Sequence, residues 1–443
     1  MPTLNIRHLR DHPATMPRMK TPIRPFSLDH TELLDALAAT ENLLIIQDLD
    51  GVCMDLVRDP LTRTLDRRYI DAANRLAGHF YVLTNGEHIG SRGVNGIIER
   101  AFSAPEHPRD QGFYLPGLAA GGVQLQDSHG HVSHPGVSDA ELAFLEVLPV
   151  RFAEHLRAAL RACGATCDEG EIDTLVEACV LDNLVSPTLN INACYQRLAD
   201  SPERYRALQR NLETYMAGLL GEASARGLGD AFFVHYAPNL GRDEHGNERL
   251  RPAGDNDAGT TDFQFMLKGA IKEVGVLVIL NHYYFQRTGR YPFGEHFNAR
   301  QAPHELDALL ALARERLDPA HMPRIVGVGD TVTSHATNVD GELCQLRGGS
   351  DRGFLTLVQQ LGVAFDTENV ILYIDSSGGE VRRPGIDAAH LSSYHAGEAV
   401  EPWAALTGIS DSEDPLRLDA VFTGGHRQYV DFFAALAARR TQV

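Results

Sequence analysis

Leu43-Leu44-Ile45-Ile46-Gln47-Asp48-Leu49-Asp50-Gly51 is the stretch that decides the fold. Its five uncharged residues suit a strand buried on both faces, the environment of a parallel sheet. The run stops at Asp48. At a strand end, residues i and i+2 point the same way, so Asp48 and Asp50 face one crevice. Gly51 permits a sharp turn away. Carboxylates that close need a cation, or one must hold a proton.

Working outward, the same architecture repeats. Upstream, Asp29-His-Thr-Glu32 has capping-box spacing ahead of an apolar helix through Leu33, Leu34 and Leu37. Downstream, Tyr69, Ala72, Ala73 and Leu76 fall at helical spacing and Gly78 is a stop signal. A second strand, His79–Leu83, ends in Thr84-Asn85-Gly86. Strand, helix, strand is the unit of a doubly wound α/β fold. Two further buried strands are predicted, Arg324–Gly329 ending at Asp330 and Val370–Ile374 ending at Asp375. Polar residues just past strand C-termini are where open α/β sheets build their sites.

Between these parts the pattern changes. Gly121–Leu125 and His131–His134 read as a hairpin, Ser138-Asp-Ala-Glu141 as a capping box, Ser201-Pro202 as a helix start and Ala231–Tyr236 as a strand. This mixture predicts an α+β lobe inserted into the first domain.

Composition excludes other classes. The 443 residues are 43% hydrophobic and 22% charged, enough for a large core. With 40 Lys and Arg against 59 Asp and Glu the formal charge is -19. Such a chain repels phosphate backbones and anionic lipid, so neither nucleic acid nor a membrane is an expected partner. The longest aliphatic run, near Val274–Leu280, is far short of a span. The six cysteines form no CxxC pair. The expectation is a cytoplasmic protein with reduced thiols and a basic N-terminal arm over residues 1–26. No GxSxG, HExxH or P-loop motif occurs. His129, His131 and His134 read as a solvated hairpin turn, and Cys53 as packing.

The chemistry rests on an ordered set. Asp48 and Asp50 read as a nucleophile and an acid/base with Mg²⁺ as clamp, or more plainly as turn residues. Thr84 and the N–H groups after it can hold a phosphate oxygen. Lys268-Gly269 offers an ammonium, and Asp330 a further carboxylate at a strand end. Each alone has a bland explanation; the order Asp…Asp, Thr, Lys, Asp is harder to reach by chance.

This set resembles the haloacid dehalogenase superfamily of phosphohydrolases. Asp48-Leu-Asp-Gly-Val resembles its motif I, Thr84-Asn-Gly motif II, Lys268-Gly-Ala motif III and Gly329-Asp330 motif IV. The resemblance implies a Rossmann-like α/β core with a parallel sheet and an inserted type-II cap. The stretch from Asp48 to Thr84 is too short for a lid, whereas that from Thr84 to Lys268 is ample. The implied division is core at 27–95 and 263–443, cap at 96–262. Gln47–Met54, Val185–Asn192, Gly327–Ser334 and Arg347–Arg352 resemble, more narrowly, phosphatases that release glucosylglycerol, a compatible solute of salt-stressed bacteria, from its 3-phosphate.

That resemblance implies roles. Asp48 would be the nucleophile and Asp50 the acid/base. Thr84, Asn85 and Lys268 would hold the phosphate, and Asn190 and Asn192 in the cap would read the sugar. Mg²⁺ would be held by Asp48, Asp50 and Asp330. Many relatives carry a second acid four residues after the first of motif IV; here that position is Ser334. Asp351, beyond an apparent insertion over residues 331–350, is expected to supply or order the missing carboxylate, against a plain helix N-cap. The expected partner is a sugar phosphate, with the synthase that makes it as a second. Sucrose phosphate and mannosyl-3-phosphoglycerate are alternative substrates. A non-catalytic sugar-phosphate-binding subunit is an alternative of another class.

Overall fold

The computed structural model describes residues 26–441, apart from 104–106, 163–167, 243–247, 255–257, 340–341 and 399. The arm predicted over residues 1–26 therefore lies outside the described residues except for Phe26. Five strands precede the inserted lobe: β1 (Leu43–Gln47), β2 (Phe80–Leu83), β3 (Gly117–Ala119), β4 (Gln124–Gln126) and β5 (Val132–Ser133). The lobe holds β6 (Val180–Leu181), β7 (Thr188–Asn190), β8 (Phe232–Ala237), β9 (Asn239–Arg242), β10 (Glu248–Leu250) and β11 (Asp262–Leu267). After it come β12 (Arg324–Gly329), β13 (Thr333–Val339), β14 (Glu342–Gly348), β15 (Val370–Ile374) and β16 (Ala420–Phe422).

The central sheet runs β16-β15-β12-β1-β2-β3-β4-β5. It is parallel from β16 to β3, and its last two pairings are antiparallel. The uncharged runs behave as their composition dictates, since every residue of β1, β2 and β15 is buried. Successive side chains alternate between two apolar layers. Leu44, Ile46 and Ile371 join the layer under helices Lys272–Thr288 and Arg352–Phe365. Leu43, Ile45 and Val370 join the layer under helices Arg67–Arg75 and Gly425–Arg440. A parallel sheet covered by helices on both faces is the doubly wound core expected from the sequence.

The lobe has a core of its own, around Phe144, Phe152, Leu212, Phe263 and Phe265. Its sheet order is β6-β7-β11-β8. Burial alternates along β8 and β11, so Phe232, Val234, Phe263 and Phe265 pack under the lobe's helices. Phe233, His235, Gln264 and Met266 fall on the opposite face, toward the core domain.

The predicted boundaries at 96 and 262 need correction. Residues 117–133 form three strands of the central sheet, not part of the lobe. β3 pairs with β2, Val82 opposite Gly117, and a Cβ at Gly117 would lie 2.2 Å from the Val82 carbonyl oxygen. The chain enters the lobe only at the reciprocal capping box of Ser138 and Glu141. It leaves after β11, so residues 263–267 belong to the cap sheet. Among the described residues, no helix is long and apolar enough to cross a membrane.

Candidate active site

The site grows out of the ends of β1, β2 and β12. Asp48 continues the β1 ladder through its N–H to the Val328 carbonyl (3.0 Å), and its Oδ1 accepts from the Leu49 N–H (2.8 Å). Gly51 has φ +79°, and a Cβ there would fall 2.2 Å from Asp330 Oδ2. Only a residue without a side chain lets the loop pass so close to that carboxylate.

Asp48, Asp330 and Asp351 each turn an oxygen into one space, all within 4.8 Å of one another, and all three are buried. Lys272 Nζ lies 2.8 Å from Asp48 Oδ2 and 2.7 Å from Asp351 Oδ1. Burial first, then the Asp351 and Asp330 charges, push Asp48 up to about 8 against the pull of Lys272. Burial and the Asp351 charge likewise push Asp330 up to about 7. Burial opposes the Lys272 charge, but Asp351 and Asp48 outweigh it and raise its pKa. Asp351 resists burial through Lys272 and the Thr331 and Asp330 N–H groups, and stays below the usual carboxylate range.

One ammonium faces three carboxyl groups, two of them pushed toward their protonated forms for want of further positive charge, and Asp330 Oδ2 is buried without a hydrogen bond. An orphaned acceptor among crowded carboxylates is what a divalent cation would complete, and an all-oxygen donor set fits a hard ion.

The lysine is not the predicted one. Lys268 lies just past β11, its N–H still bonded to the Ala231 carbonyl (2.8 Å). Its side chain is half exposed, 4.0 Å from Asp230. Gly269, at φ +81°, turns the chain before the helix begins at Lys272. A lysine on the first turn of that helix points back to the strand ends, whereas one before the turn points away. The signal was present: Lys272 follows the glycine at the start of the apolar run Val274–Leu280.

Asp351 begins helix Arg352–Phe365, yet its side chain makes no cap hydrogen bond. Its Oδ2 instead accepts from the Asp330 and Thr331 N–H groups, both at 2.9 Å. It thus fixes the loop that carries Asp330 while Oδ1 holds Lys272. The apparent insertion between them is the antiparallel β13–β14 ribbon, which begins and ends beside the site. Ser334 lies on β13, where it bonds Asp411 and Gln345 and is turned to the ribbon's own contacts.

Thr84 is buried at the end of β2, and its Oγ1 accepts from the Gly86 N–H (3.3 Å). A methyl group on Gly86 would sit 3.8 Å from Thr84 Oγ1, 3.9 Å from Asp50 Oδ2 and 4.0 Å from Arg63 Nη1. The Thr84 hydroxyl, the Asp50 carboxylate and a guanidinium therefore ring one spot. Arg63 was not foreseen from the sequence.

Above this spot lies a cavity of about 610 Å³ between cap and core. Asn85 and Gly86 line it from the core, and Thr188, His235, Glu248, Asp262 and Gln264 from the cap. His235 Nδ1 is 2.8 Å from Glu248 Oε2, and Asn190 Nδ2 donates to Asp262 Oδ1 (2.9 Å). Asn190 thus backs Asp262 rather than lining the cavity. Asn192, expected to read the sugar, opens helix Asn192–Arg197, exposed, and bonds Asn190. The cap is anchored by Glu87, whose carboxylate accepts the N–H groups of Leu184 (2.8 Å), Val185 (3.0 Å) and Ser186 (3.1 Å).

Residues 42–437 match the family model described as glucosylglycerol-phosphate phosphatase. A curated relative, the glucosylglycerol-phosphate phosphatase of Synechocystis sp. (strain ATCC 27184 / PCC 6803 / Kazusa), is 51% identical over 415 residues, covering 94% of this chain and 97% of that protein. Among solved structures, the Aspergillus fumigatus trehalose-6-phosphate phosphatase covers 93% of this chain and 99% of its own, at 10% identity and a TM-score of 0.35. The C-terminal domain of the C. albicans enzyme covers 94% and 99%, at 9% identity and a TM-score of 0.41.

Proposed function

The chain belongs to the glucosylglycerol-phosphate phosphatase family, and from that premise we propose that it hydrolyses glucosylglycerol 3-phosphate to glucosylglycerol and inorganic phosphate. The observation that carries the chemistry is the buried, Lys272-bridged cluster of Asp48, Asp330 and Asp351.

In the first half-reaction a carboxylate oxygen of Asp48 attacks phosphorus and the ester P–O bond breaks. Asp50 gives its proton to the departing alcohol oxygen, and Asp48 is left as an aspartyl-phosphate. In the second, Asp50 takes a proton from water, whose oxygen attacks the same phosphorus. Phosphate leaves and Asp48 is regenerated. Lys272 and Thr84 hold the phosphoryl oxygens, the role first expected of Lys268 and Thr84. Asp48, Asp330 and the Asp50 carbonyl would hold Mg²⁺, with Asp351 bracing the Asp330 loop. Bound there, the ion supplies positive charge for the transferring phosphoryl group.

The cavity lining supports a neutral polyol. It offers amide, hydroxyl, imidazole and carboxylate groups and, among the described residues, no lysine or arginine. Among the described residues that line the cavity, none would pair with the glycerate carboxylate of mannosyl-3-phosphoglycerate as a lysine or arginine does.

The test is phosphate release from a panel: glucosylglycerol 3-phosphate, sucrose 6-phosphate, trehalose 6-phosphate and mannosyl-3-phosphoglycerate. The first is expected to lead in kcat/KM by at least about tenfold, because a mismatched ester leaves cap polar groups unpaired. A lead for mannosyl-3-phosphoglycerate would sink the substrate reading. EDTA is expected to remove the activity and Mg²⁺ to restore it; rescue by Zn²⁺ alone counts against the site.

Asp351→Asn is expected to raise the Mg²⁺ concentration for half-maximal activity by about 10- to 100-fold, since it loosens the support of a ligand loop. An amide also cannot accept from Lys272 and from both N–H groups at once. Stability should therefore drop by about 1–3 kcal/mol, seen as a lower melting temperature. Unchanged Mg²⁺ dependence would remove Asp351 from the site.

A further inference from the structure

We propose that Arg63 is a positioning residue for the acid/base carboxylate of Asp50. The proposal rests on the phosphatase reading above and deepens it.

Arg63 follows the short turn Pro60–Thr62, and its side chain is 9% exposed. Nη1 lies 2.9 Å from Asp50 Oδ2 and 3.1 Å from Oδ1. Nε donates to the Pro60 carbonyl (3.0 Å) and Nη2 to the Arg92 carbonyl. The planar guanidinium is thus fixed on three sides, and the edge it offers to the site is the one on Asp50. Burying a cation is costly unless it is paired and hydrogen-bonded, and a rigid fork orients a carboxylate better than an ammonium can.

Asp50 needs such an anchor. It lies past the end of β1, and its side chain is 33% exposed. Among the described residues, Arg63 is the side chain that hydrogen-bonds the Asp50 carboxylate and so holds it at the spot it shares with Thr84. Arg92, on which Nη2 rests, lies in the loop next to Ser91, whose hydroxyl donates to Asp182 of the cap (2.5 Å). Arg63 therefore ties the acid/base to the loop that also holds the root of the cap.

Proton donation matters for an alcohol leaving group and hardly at all for an activated phenol. That difference separates positioning of Asp50 from direct phosphate binding or simple folding. The experiment is single-turnover rapid quench on Arg63→Gln, measuring phosphoenzyme formation from glucosylglycerol 3-phosphate and from p-nitrophenyl phosphate. A loss on the order of 10²-fold is expected for the sugar ester, the cost of a misplaced catalytic group, and less than about threefold for the aryl ester. In an Asp50→Asn background, Arg63→Gln should add almost nothing, because the two act as a unit. Even losses on both esters, or additive losses in the double variant, overturn the proposal. Should Arg63→Gln fail to fold, Arg63→Lys goes through the same comparison, where a loss confined to the sugar ester supports the proposal and even losses overturn it. If wild type prefers another glycosyl phosphate, the substrate reading fails, and the Arg63 comparison proceeds on that ester.

Discussion

Asp48→Asn is expected to abolish turnover, by on the order of 10⁴-fold or more, while the protein stays folded. An amide oxygen is a poor nucleophile toward phosphorus, and no neighbouring group takes its place. Asp330 and Asp351 share the space, but Asp351 spends both oxygens on Lys272 and two N–H groups. The fold survives because the amide oxygen can still accept from Lys272 or from the Leu49 N–H, and because a like charge has been removed from a crowded cluster. A pH effect follows. The folded state raises Asp48 from 3.8 to about 8, so it binds protons that the unfolded chain has released. Between those limits the metal-free protein loses stability as pH rises. In EDTA, the wild-type melting temperature should fall from pH 5 to pH 8, and Asp48→Asn should fall less. A variant that keeps a tenth of wild-type turnover would remove Asp48 as nucleophile. Asp50→Asn should behave differently: slowed by about 10²- to 10⁴-fold, with phosphoenzyme persisting once formed and substrate affinity little changed.

What was legible in the sequence was local. β1, β12 and β15 begin and end at the residues predicted for them, because a short apolar run stopped by an acid needs no distant partner to be recognised. Ser138 and Glu141 form the capping box their spacing promised. Misreadings came where a partner lies far along the chain. The hairpin at 121–134 has a clear local pattern, but nothing in it announces that β3 pairs with β2. Asn190 and Asn192 lie two positions apart in sequence, but the chain coils into a helix at Asn192. The groups that line the cavity come instead from three strands brought side by side, with Asp262 opposite Asn190 and Gln264 opposite both Thr188 and His235. Arg63 carries no motif; only the return of its loop over Asp50 gives it a role. Asp351 could be suspected because a helix start follows it, but its two hydrogen bonds back across the ribbon could not.

The second large effect separates Lys272 from Lys268, two lysines four positions apart with opposite expected outcomes. Lys268→Ala should leave kcat/KM within about twofold and stability nearly unchanged, as surface substitutions do. The Lys268 carbonyl, which accepts from Arg300 Nε at 3.0 Å, is retained in that variant. Lys272→Met should remove activity by on the order of 10³-fold or more, since it deletes a charge aimed at the transferring phosphoryl group. It should also destabilise the protein by about 3–5 kcal/mol, the usual cost of leaving a buried charge without its partner. Lys272→Arg should not rescue it. Nζ sits between two carboxylate oxygens at 2.8 and 2.7 Å and 5.1 Å from the Phe354 ring centre, space for an ammonium and not for a planar fork. Because lost folding alone could mimic lost catalysis, the decisive variant is Lys272→Met combined with Asp351→Asn. It removes one buried carboxylate with the lysine, so much of the thermal stability should return. Turnover should not, even at saturating Mg²⁺ and measured against Asp351→Asn alone, because the phosphoryl group still meets no ammonium. Recovery of activity along with stability would mean that Lys272 only balances charge and takes no part in the transfer.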